Sequence, residues 1–381
     1  MRVLFYVQSL LGIGHLQRAA RLARAMQDSG LEVHVLLGGE ESPLVDFGAA
    51  TLIALPPLTS ADARFSTLVD AAGRPLDAAL EAERRERVLA ALERVHPALL
   101  LIESYPFGRR RLRFELQPLI EAARAMTPRP LIVASVRDVL QARPTERQAE
   151  SAALFRRDFD QLLVHGDAAF LPLSRSFPVE LLPAERVHHT GYVGAAVTSS
   201  DDPDAAGEVL VSAGGGAVGA ELLRCALAAR PLSRLATARW RLLCGPRLEP
   251  TLRRTLEREA PDGVIVEDLR ADFAPRLAVA ALSISQAGYN TVLDVLAAGC
   301  PAVLVPFEGD NQTEQRRRAE ALAAHGRAVV LGENALTPAT LAAAVDAALA
   351  LPPTRVPLRM DGAEQSARLL RRWAEEAGHG D

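Results

Sequence analysis

The chain has 381 residues, of which 49% are apolar and 24% are charged. This length suggests two domains, and the composition excludes a small disulfide-stapled scaffold, a disordered chain and a fibrous protein. The net charge is −4, and all 43 basic residues are arginine because the sequence contains no lysine. The general electrostatic footprint of a nucleic-acid-binding protein is absent, so no nucleic-acid partner is expected.

The cysteines and the N-terminal segment indicate a cytoplasmic protein. Cys225, Cys244 and Cys300 each lie in an apolar stretch, and their odd number predicts reduced core residues. The first apolar run is interrupted at Gln8 and Ser9 and leads into a glycine motif, which favours a core strand over a signal peptide. No apolar run reaches the roughly eighteen residues needed to span a bilayer, although a peripheral contact with the inner face of the membrane stays open.

Short apolar runs alternate with longer amphipathic stretches in both halves of the chain. The runs of the first half are at 3–7, 33–37, 99–102 and 131–134, and those of the second half are at 209–213, 241–244, 264–266, 282–285, 302–306 and 328–331. This alternation predicts parallel sheets with helices on both faces. The fold class is therefore α/β, with two doubly wound domains.

The domain boundaries follow from composition. The segment 196–207 is rich in glycine, serine and aspartate and predicts a linker between domains 1–195 and 208–360. Residues 361–381 follow a proline-rich segment and predict a helix with Leu369, Leu370 and Trp373 on one face. We expect that helix to pack back on the first domain.

The first candidate site is the motif GIGH, which follows the first strand. Gly12 and Gly14 allow a tight turn whose N–H groups, together with the helix start, can face an anion. His15 then lies at the carboxyl end of a strand, where open α/β sheets bind ligands. A plain strand-to-helix turn with a capping histidine is the alternative.

A second glycine loop, GGGAVGA, follows the first strand of the second half. Gly214, Gly215 and Gly216, with Gly219, give the spacing of a phosphate-binding loop. The next strand has no carboxylate at its end for a ribose, which weakens a dinucleotide-binding interpretation. A lysine-containing P-loop is excluded.

The third stretch, from 283 to 329, is the most specific in the chain. It predicts a helix from about 291 to 298, with Asn290 and Thr291 at its N-terminus and Asp294 on its first turn. This one helix therefore offers donors for a phosphate and an acceptor for a hydroxyl. The loop that follows the next strand carries further polar groups suited to sugar hydroxyls, among them Asp310, Gln312, Glu314 and Gln315.

The first half also offers candidates for recognising a second substrate. Glu103, Ser104 and Tyr105 end a strand, and the run from Arg109 to Arg113 follows. That run is either a solvated helix or a site for an acceptor carboxylate, an acceptor phosphate or an anionic lipid. Arg137 and Asp138 follow another strand and either face the same site or pair with each other.

These three motifs resemble those of the nucleotide-sugar glycosyltransferases of the GT-B fold, and most of all glycosyltransferase family 28, the family of the peptidoglycan N-acetylglucosaminyltransferase. The resemblance implies two Rossmann-like domains that face a central cleft, the first for the acceptor and the second for the donor. It makes His15 the catalytic base; Glu103, at the end of its own strand, is the next candidate if His15 is not the base. It also places Gly12, Gly14 and the second glycine loop near the bound substrates.

The resemblance assigns donor contacts to individual residues of the second half. Gly288, Asn290 and Thr291 would meet the diphosphate, and Asp294, where the family more often has glutamate, would meet the ribose. Glu314 and Gln315 would bind the donor sugar. Gln286 stands where plant-type relatives carry a phosphate-binding histidine, a departure that fits the bacterial branch.

The implied reaction transfers a sugar from a nucleotide sugar, a UDP-sugar first, to an unidentified acceptor hydroxyl, with inversion and without a metal or other cofactor. Adjacent His188 and His189 are poorly placed as metal ligands, and no Asp-x-Asp signature is evident. A nucleotide-sugar hydrolase or epimerase of the same fold is one alternative, and a non-catalytic nucleotide-binding protein is another. Oligomeric state is not indicated.

Overall fold

The computed structural model describes residues 1–10, 14–60, 67–194, 197–213, 219–245, 248–309, 313–352 and 358–379. Its contacts divide the chain into two units, Met1–Val193 with Leu358–Asp381, and Gly194–Pro357. In chain order the strands are β1 (Arg2–Val7), β2 (Glu32–Leu37), β3 (Thr51–Ala54), β4 (Thr59–Ser60), β5 (Leu68–Val69), β6 (Leu99–Glu103), β7 (Leu131–Arg137), β8 (Gln161–His165), β9 (Val187–His189), β10 (Val209–Ser212), β11 (Trp240–Cys244), β12 (Val264–Asp268), β13 (Leu282–Ser285), β14 (Ala302–Leu304) and β15 (Val329–Val330). The helices are α1 (Gly14–Asp28), α2 (Ala78–Val95), α3 (Arg113–Ala125), α4 (Thr145–Asp158), α5 (Ala220–Ala229), α6 (Pro250–Glu259), α7 (Phe273–Leu277), α8 (Tyr289–Ala298), α9 (Glu314–Ala324), α10 (Pro338–Leu349) and α11 (Gly362–Glu376).

The first unit is built on a seven-stranded parallel sheet with the order β3-β2-β1-β6-β7-β8-β9. Successive side chains of β1 point to opposite faces, so Val3, Phe5 and Val7 enter one core and Leu4 and Tyr6 enter the other. Both faces of the sheet are therefore covered, as a parallel sheet requires. Strands β4 and β5 form a separate antiparallel pair.

The second unit is built on a six-stranded parallel sheet with the order β12-β11-β10-β13-β14-β15. One core contains Val209 and Val211 of β10 with Leu282 and Ile284 of β13. Ser283 and Ser285 alternate with these residues and are fully buried on the opposite face. The two predicted parallel sheets are therefore both present.

The C-terminal helix α11 belongs to the first unit and packs against α1. Its buried face includes Leu370 and Trp373, whereas Leu369 is partly buried at the edge of the same core. Asp361, just before the helix, forms a bridge with Val193. Among the helices described, none combines the length and the apolar character needed to cross a bilayer.

The segment predicted as a linker belongs to the second unit. Asp202 and Glu208 both accept hydrogen bonds from Arg276 in α7, and Arg241 of β11 also donates to Glu208. Arg276 and Glu208 are almost completely buried. These ion pairs fix the chain that enters β10.

Candidate functional site

The strand order of the first sheet brings the candidate residues His15 and Glu103 together at the carboxyl ends of β1 and β6. The order of the sheet reverses between β1 and β6, and ligands of open α/β sheets bind at the carboxyl ends of strands at such a reversal. His15 lies in the first turn of α1, just beyond β1, and Glu103 is the last residue of β6. The two residues are far apart in sequence, and the sheet brings them into contact.

His15 and Glu103 form a hydrogen-bonded pair with a buried arginine beside it. His15 Nδ1 lies 3.0 Å from Glu103 Oε1. Arg18, one helical turn after the histidine, donates to the same Oε1 and places its Nη2 3.2 Å from His15 Nδ1. The side chains of Glu103 and Arg18 are each 2% exposed, whereas that of His15 is 18% exposed. The imidazole is therefore the member of this group that a substrate can reach.

The environment fixes the charge states of the pair. Burial lowers the pKa of His15 to about 3, although the neighbouring Glu103 charge acts in the opposite direction. Burial alone would raise the pKa of Glu103, but the positive charge of Arg18 and the contact with His15 hold that pKa well below its usual range. At neutral pH the imidazole is neutral and the carboxylate ionised, so Nδ1 carries the proton that Glu103 accepts, and Nε2 is the basic atom of the ring.

Arg109 ties the loop after β6 to the end of β1. Its backbone has φ 58°, in the left-handed region that is unfavourable for an arginine, and its Nη2 donates to the carbonyl oxygen of Gln8 at 2.9 Å. Burial lowers the pKa of this guanidinium to about 10, and Glu103 partly opposes the shift. The charges of Arg109 and Glu103 therefore influence each other.

The rest of the predicted arginine cluster has other contacts. Arg110 and Arg113 both pair with Glu150 of α4, and Arg111 is exposed. The prediction that Tyr105 faces the site with Glu103 is wrong, because its ring is fully buried in the core and its hydroxyl donates to Gln117 at 3.2 Å. A tyrosine has enough apolar surface to pack inside when one polar partner is available.

His165 is a fully buried histidine of the first unit that the sequence analysis did not identify. His165, the last residue of β8, has Nε2 2.7 Å from Ser135 Oγ and Nδ1 3.1 Å from Thr190 Oγ1. Burial lowers its pKa to about 3, with a further lowering from Arg18. Its position at a strand end is the same signal that identified His15.

Arg18 was also missed in the sequence. The only signal for it was its spacing of one helical turn from His15, and arginines in amphipathic helices usually face solvent.

The second unit has the same strand reversal, between β10 and β13. Helix α8 begins at Tyr289 with Gly288 as its N-cap, two residues earlier than predicted. Asp294 therefore lies on the second turn and not on the first. Asn290, Thr291 and Asp294 share the partly exposed face of α8, since helical residues three and four apart are neighbours. The helix start presents backbone N–H groups beside these side chains.

The neighbouring helix α5 begins beside the same reversal. Gly219 is its N-cap with φ 116°, and a Cβ at this position would lie 2.3 Å from the Cβ of Ala213, so only glycine fits. The almost fully buried Gln286 donates its backbone N–H to Ser212, which joins the ends of β13 and β10. The remaining loop candidates Gly12, Gly214, Gly215, Gly216, Asp310 and Gln312 lie outside the described residues.

Helix α9 carries the two residues predicted to bind a sugar. Glu314 is its first residue, and Gln315 accepts a hydrogen bond from the backbone N–H of Phe307 through Oε1 at 3.0 Å. Among the described residues, Phe307 engages Gln315 through Oε1, which leaves the amide NH2 as the group that would donate to a ligand. Within the described ranges, no three His, Cys, Asp or Glu side chains are grouped to hold a metal ion.

Comparison with known families and proteins gives a family match in the C-terminal half of the chain and structural matches across the whole fold. Residues 210–370 match the glycosyltransferase family 28 C-terminal domain. A curated relative, the UDP-N-acetylglucosamine--N-acetylmuramyl-(pentapeptide) pyrophosphoryl-undecaprenol N-acetylglucosamine transferase of Paramagnetospirillum magneticum, is 32% identical over 178 residues. The match covers 44% of this chain and 48% of the relative, so the chain spans about half the length of that protein.

Solved structures match over nearly the full length. The calicheamicin glycosyltransferase CalG4 superimposes with a TM-score of 0.61 at 20% identity, covering 99% of this chain and 97% of that one. MurG of Acinetobacter baumannii does so with a TM-score of 0.56 at 18% identity, covering 97% and 99%. The predicted GT-B fold and the predicted resemblance are confirmed: this chain has the GT-B fold, and its residues 210–370 match the C-terminal domain of glycosyltransferase family 28.

Proposed function

We propose that this protein transfers a sugar from a nucleotide sugar to an acceptor hydroxyl, with inversion at the anomeric carbon. The single observation that carries the proposal is the pairing of a neutral, partly exposed His15 with an ionised, buried Glu103 at the strand reversal of the first unit. The match of residues 210–370 to the family 28 C-terminal domain supports the donor half of the reaction.

In the proposed reaction His15 is the general base. Nε2 of His15 takes the proton of the acceptor hydroxyl while the hydroxyl oxygen attacks the anomeric carbon of the donor sugar. The bond from that carbon to the phosphate oxygen breaks at the same time. The electron pair of that bond leaves with the nucleoside diphosphate. Glu103 holds the ring through Nδ1 and stabilises the imidazolium that forms, and Arg18 keeps Glu103 ionised.

The second unit would receive the donor. The N–H groups at the start of α8 would accept the negative charge of the leaving diphosphate, each such contact contributing roughly 0.3 to 2 kcal/mol. Asp294 would bind the ribose, and Glu314 and Gln315 the sugar. Because helix N-termini can carry this charge, we propose that no divalent metal is needed. The curated relative is a transferase of a UDP-sugar, which makes UDP the first nucleotide to test.

The first experiment is a thermal-shift screen with UDP, GDP, ADP and dTDP and their sugars. A ligand at 100 times its dissociation constant stabilises the native state by roughly 2.7 kcal/mol, so binding is detectable without knowing the acceptor. With the nucleotide identified, release of nucleoside diphosphate from its sugar is measured with and without candidate acceptors. Release that never requires an acceptor would favour the hydrolase alternative.

The second experiment replaces His15 with alanine. We expect the rate to fall by roughly 10² to 10⁴, the range for loss of a general base, while affinity for the nucleoside diphosphate stays close to that of wild type. His34→Ala is the matched control, because His34 is also a part-buried histidine of the first unit and pairs with Glu32. A collapse of donor affinity would make His15 a binding residue, and an unchanged rate would move the role of base to Glu103.

A further inference from the structure

A buried arginine, Arg318, lies behind the start of α8. It belongs to α9 and is 1% exposed. Its Nη1 donates to the carbonyl oxygen of Ala287 at 2.9 Å, and its Cζ lies 5.6 Å from the centre of the Tyr289 ring. Ala287 and Tyr289 flank Gly288, the N-cap of α8, so the guanidinium holds both sides of that cap.

The same helix is fixed at its own first turn. Gln315 accepts from the backbone of Phe307, which follows β14, and Arg318 lies one turn further along α9. Helix α9 is therefore attached both to the end of β14 and to the loop between β13 and α8. These contacts set the position of the first turn of α8 relative to the first turn of α9.

Packing alone is a poor reason for an arginine at this position. A guanidinium keeps its charge in proteins, and burying it is unfavourable unless its environment compensates, so an apolar side chain of similar length would fill the space at lower cost. A positive charge behind a helix N-terminus also adds to the field that attracts an anion there. Both effects act on the part of the second unit where a diphosphate would bind.

We propose that Arg318 is a positioning residue for the donor, holding the N-terminal turn of α8 so that its N–H groups meet the diphosphate while the first turn of α9 meets the sugar. This inference rests on the proposed function. Arg318 acts through the backbone at Ala287 and through Tyr289, and it does not itself contact the sugar.

The test compares Arg318→Met, which removes the charge and the fork of donors, with Arg318→Lys, which keeps the charge alone. The matched control is Arg276→Met, because Arg276 is an equally buried arginine of the second unit that binds Glu208 at the amino-terminal end of β10, whereas α8 begins beyond the carboxyl end of β13. Of UDP, GDP, ADP and dTDP, the one that wild type binds most tightly is used, and its affinity for each variant is measured by calorimetry. The affinity of the corresponding nucleoside is measured by NMR titration. Melting temperatures are recorded for every variant.

We expect Arg318→Met to lower the affinity for the nucleoside diphosphate about tenfold, which is the size of one contact between an anion and a helix terminus. The affinity for the nucleoside should stay unchanged. Arg318→Lys should recover only part of that loss, because a single ammonium cannot reproduce the fork of donors that reaches the Ala287 carbonyl beside the Tyr289 ring. Arg276→Met should lower the melting temperature without changing the ratio of the two affinities. If Arg318→Met does not fold, Tyr289→Leu tests the same arrangement. This variant should lower the affinity for the nucleoside diphosphate and leave the affinity for the nucleoside unchanged.

The outcomes separate the inference from the proposed function. If wild type binds none of the four nucleoside diphosphates, the proposed function falls and the inference falls with it. If wild type binds one of them and the Arg318 and Tyr289 variants bind it equally well, the inference is overturned and the proposed function stands. The inference would also be overturned if Arg318→Met lowered the affinities for the nucleoside diphosphate and the nucleoside equally. The same holds if Arg276→Met lowered the affinity for the nucleoside diphosphate as much as Arg318→Met does.

Discussion

Replacing His165 with glutamine should make the first unit less sensitive to acid. Burial lowers the pKa of this histidine to about 3 in the native state, whereas a histidine in an unfolded chain has a pKa near 6.5. As the pH falls below about 6.5, the unfolded chain takes up a proton at this ring and the native protein does not. The stability that comes from the neutral, buried ring is therefore complete above that pH and is lost progressively toward about pH 3.

The expected size follows from the two pKa values. Each pH unit in this window costs about 1.4 kcal/mol for one histidine, so lowering the pH from about 7.5 to about 4.5 removes roughly 2.7 kcal/mol through His165 alone. Glutamine does not titrate, and its amide can bond to both Ser135 and Thr190, the two partners of the ring. His15 contributes in the same direction and is unchanged by the substitution.

The two tryptophans of the chain make the measurement specific to the first unit. Trp373 belongs to α11 in the first unit and Trp240 to β11 in the second, so a Trp240→Phe background leaves one reporter of the first unit. Urea unfolding is followed at both pH values, and the midpoints are compared because the His188 ring, 4.7 Å from Trp373, can change the signal intensity. His325→Gln, at an exposed histidine of the second unit, is the control. A loss of stability between the two pH values that is the same with and without His165 would refute the reasoning.

The remaining predictions concern the two sites. Asp294→Ala should weaken nucleoside diphosphate binding by roughly 1.5 to 3 kcal/mol in calorimetry, because a charged hydrogen-bond acceptor is lost, and an unchanged affinity would reject the ribose contact. Since the pKa of His15 is lowered to about 3, initial rates should show no fall in kcat/KM centred near pH 6.5, and a fall there would contradict a permanently neutral imidazole. Turnover should be the same in excess chelator, and a loss that added metal restores would overturn the role given to helix N-termini. Gly219→Ala should lower the melting temperature, because the new methyl group would meet Ala213, and normal stability would show that α5 can shift its first turn.

The sequence predicted all six strands of the second sheet but only four of the seven strands of the first, since β3, β8 and β9 were not predicted. Strands such as β1 and β6 are buried on both faces and read as continuous apolar runs. Strand β3, with the exposed Leu52, and strand β9, Val187–His189, lack such a run and lie at the two ends of the first sheet. Their conformation comes from hydrogen bonds to one neighbouring strand, which a local pattern does not reveal.

The candidate site was predictable where its residues follow glycine loops or strand ends, and not where burial decides the role. His15 and Glu103 were both found because each lies at the carboxyl end of a strand. Arg18 was not found, because its burial depends on Glu103, which lies 85 positions later in the chain. Arg318 was missed for the same reason, since its partner Ala287 belongs to a different helix–strand connection. A buried charge is defined by a distant partner, and sequence spacing carries no record of that partner.

The two strand reversals of this chain use different chemistry, and this difference predicts how each unit will respond to mutation. The first unit places charged side chains there, and removing one member of the His15, Arg18 and Glu103 group leaves another buried without its partner. Such losses are large and non-additive, so single substitutions in the first unit should reduce the rate sharply and double substitutions little further. The second unit presents mainly backbone N–H groups at helix starts, which substitutions other than those to proline leave in place. Single side-chain changes in the second unit should therefore give moderate, nearly additive losses in donor affinity, except at Gly219, whose left-handed backbone and contact with Ala213 leave no room for a side chain.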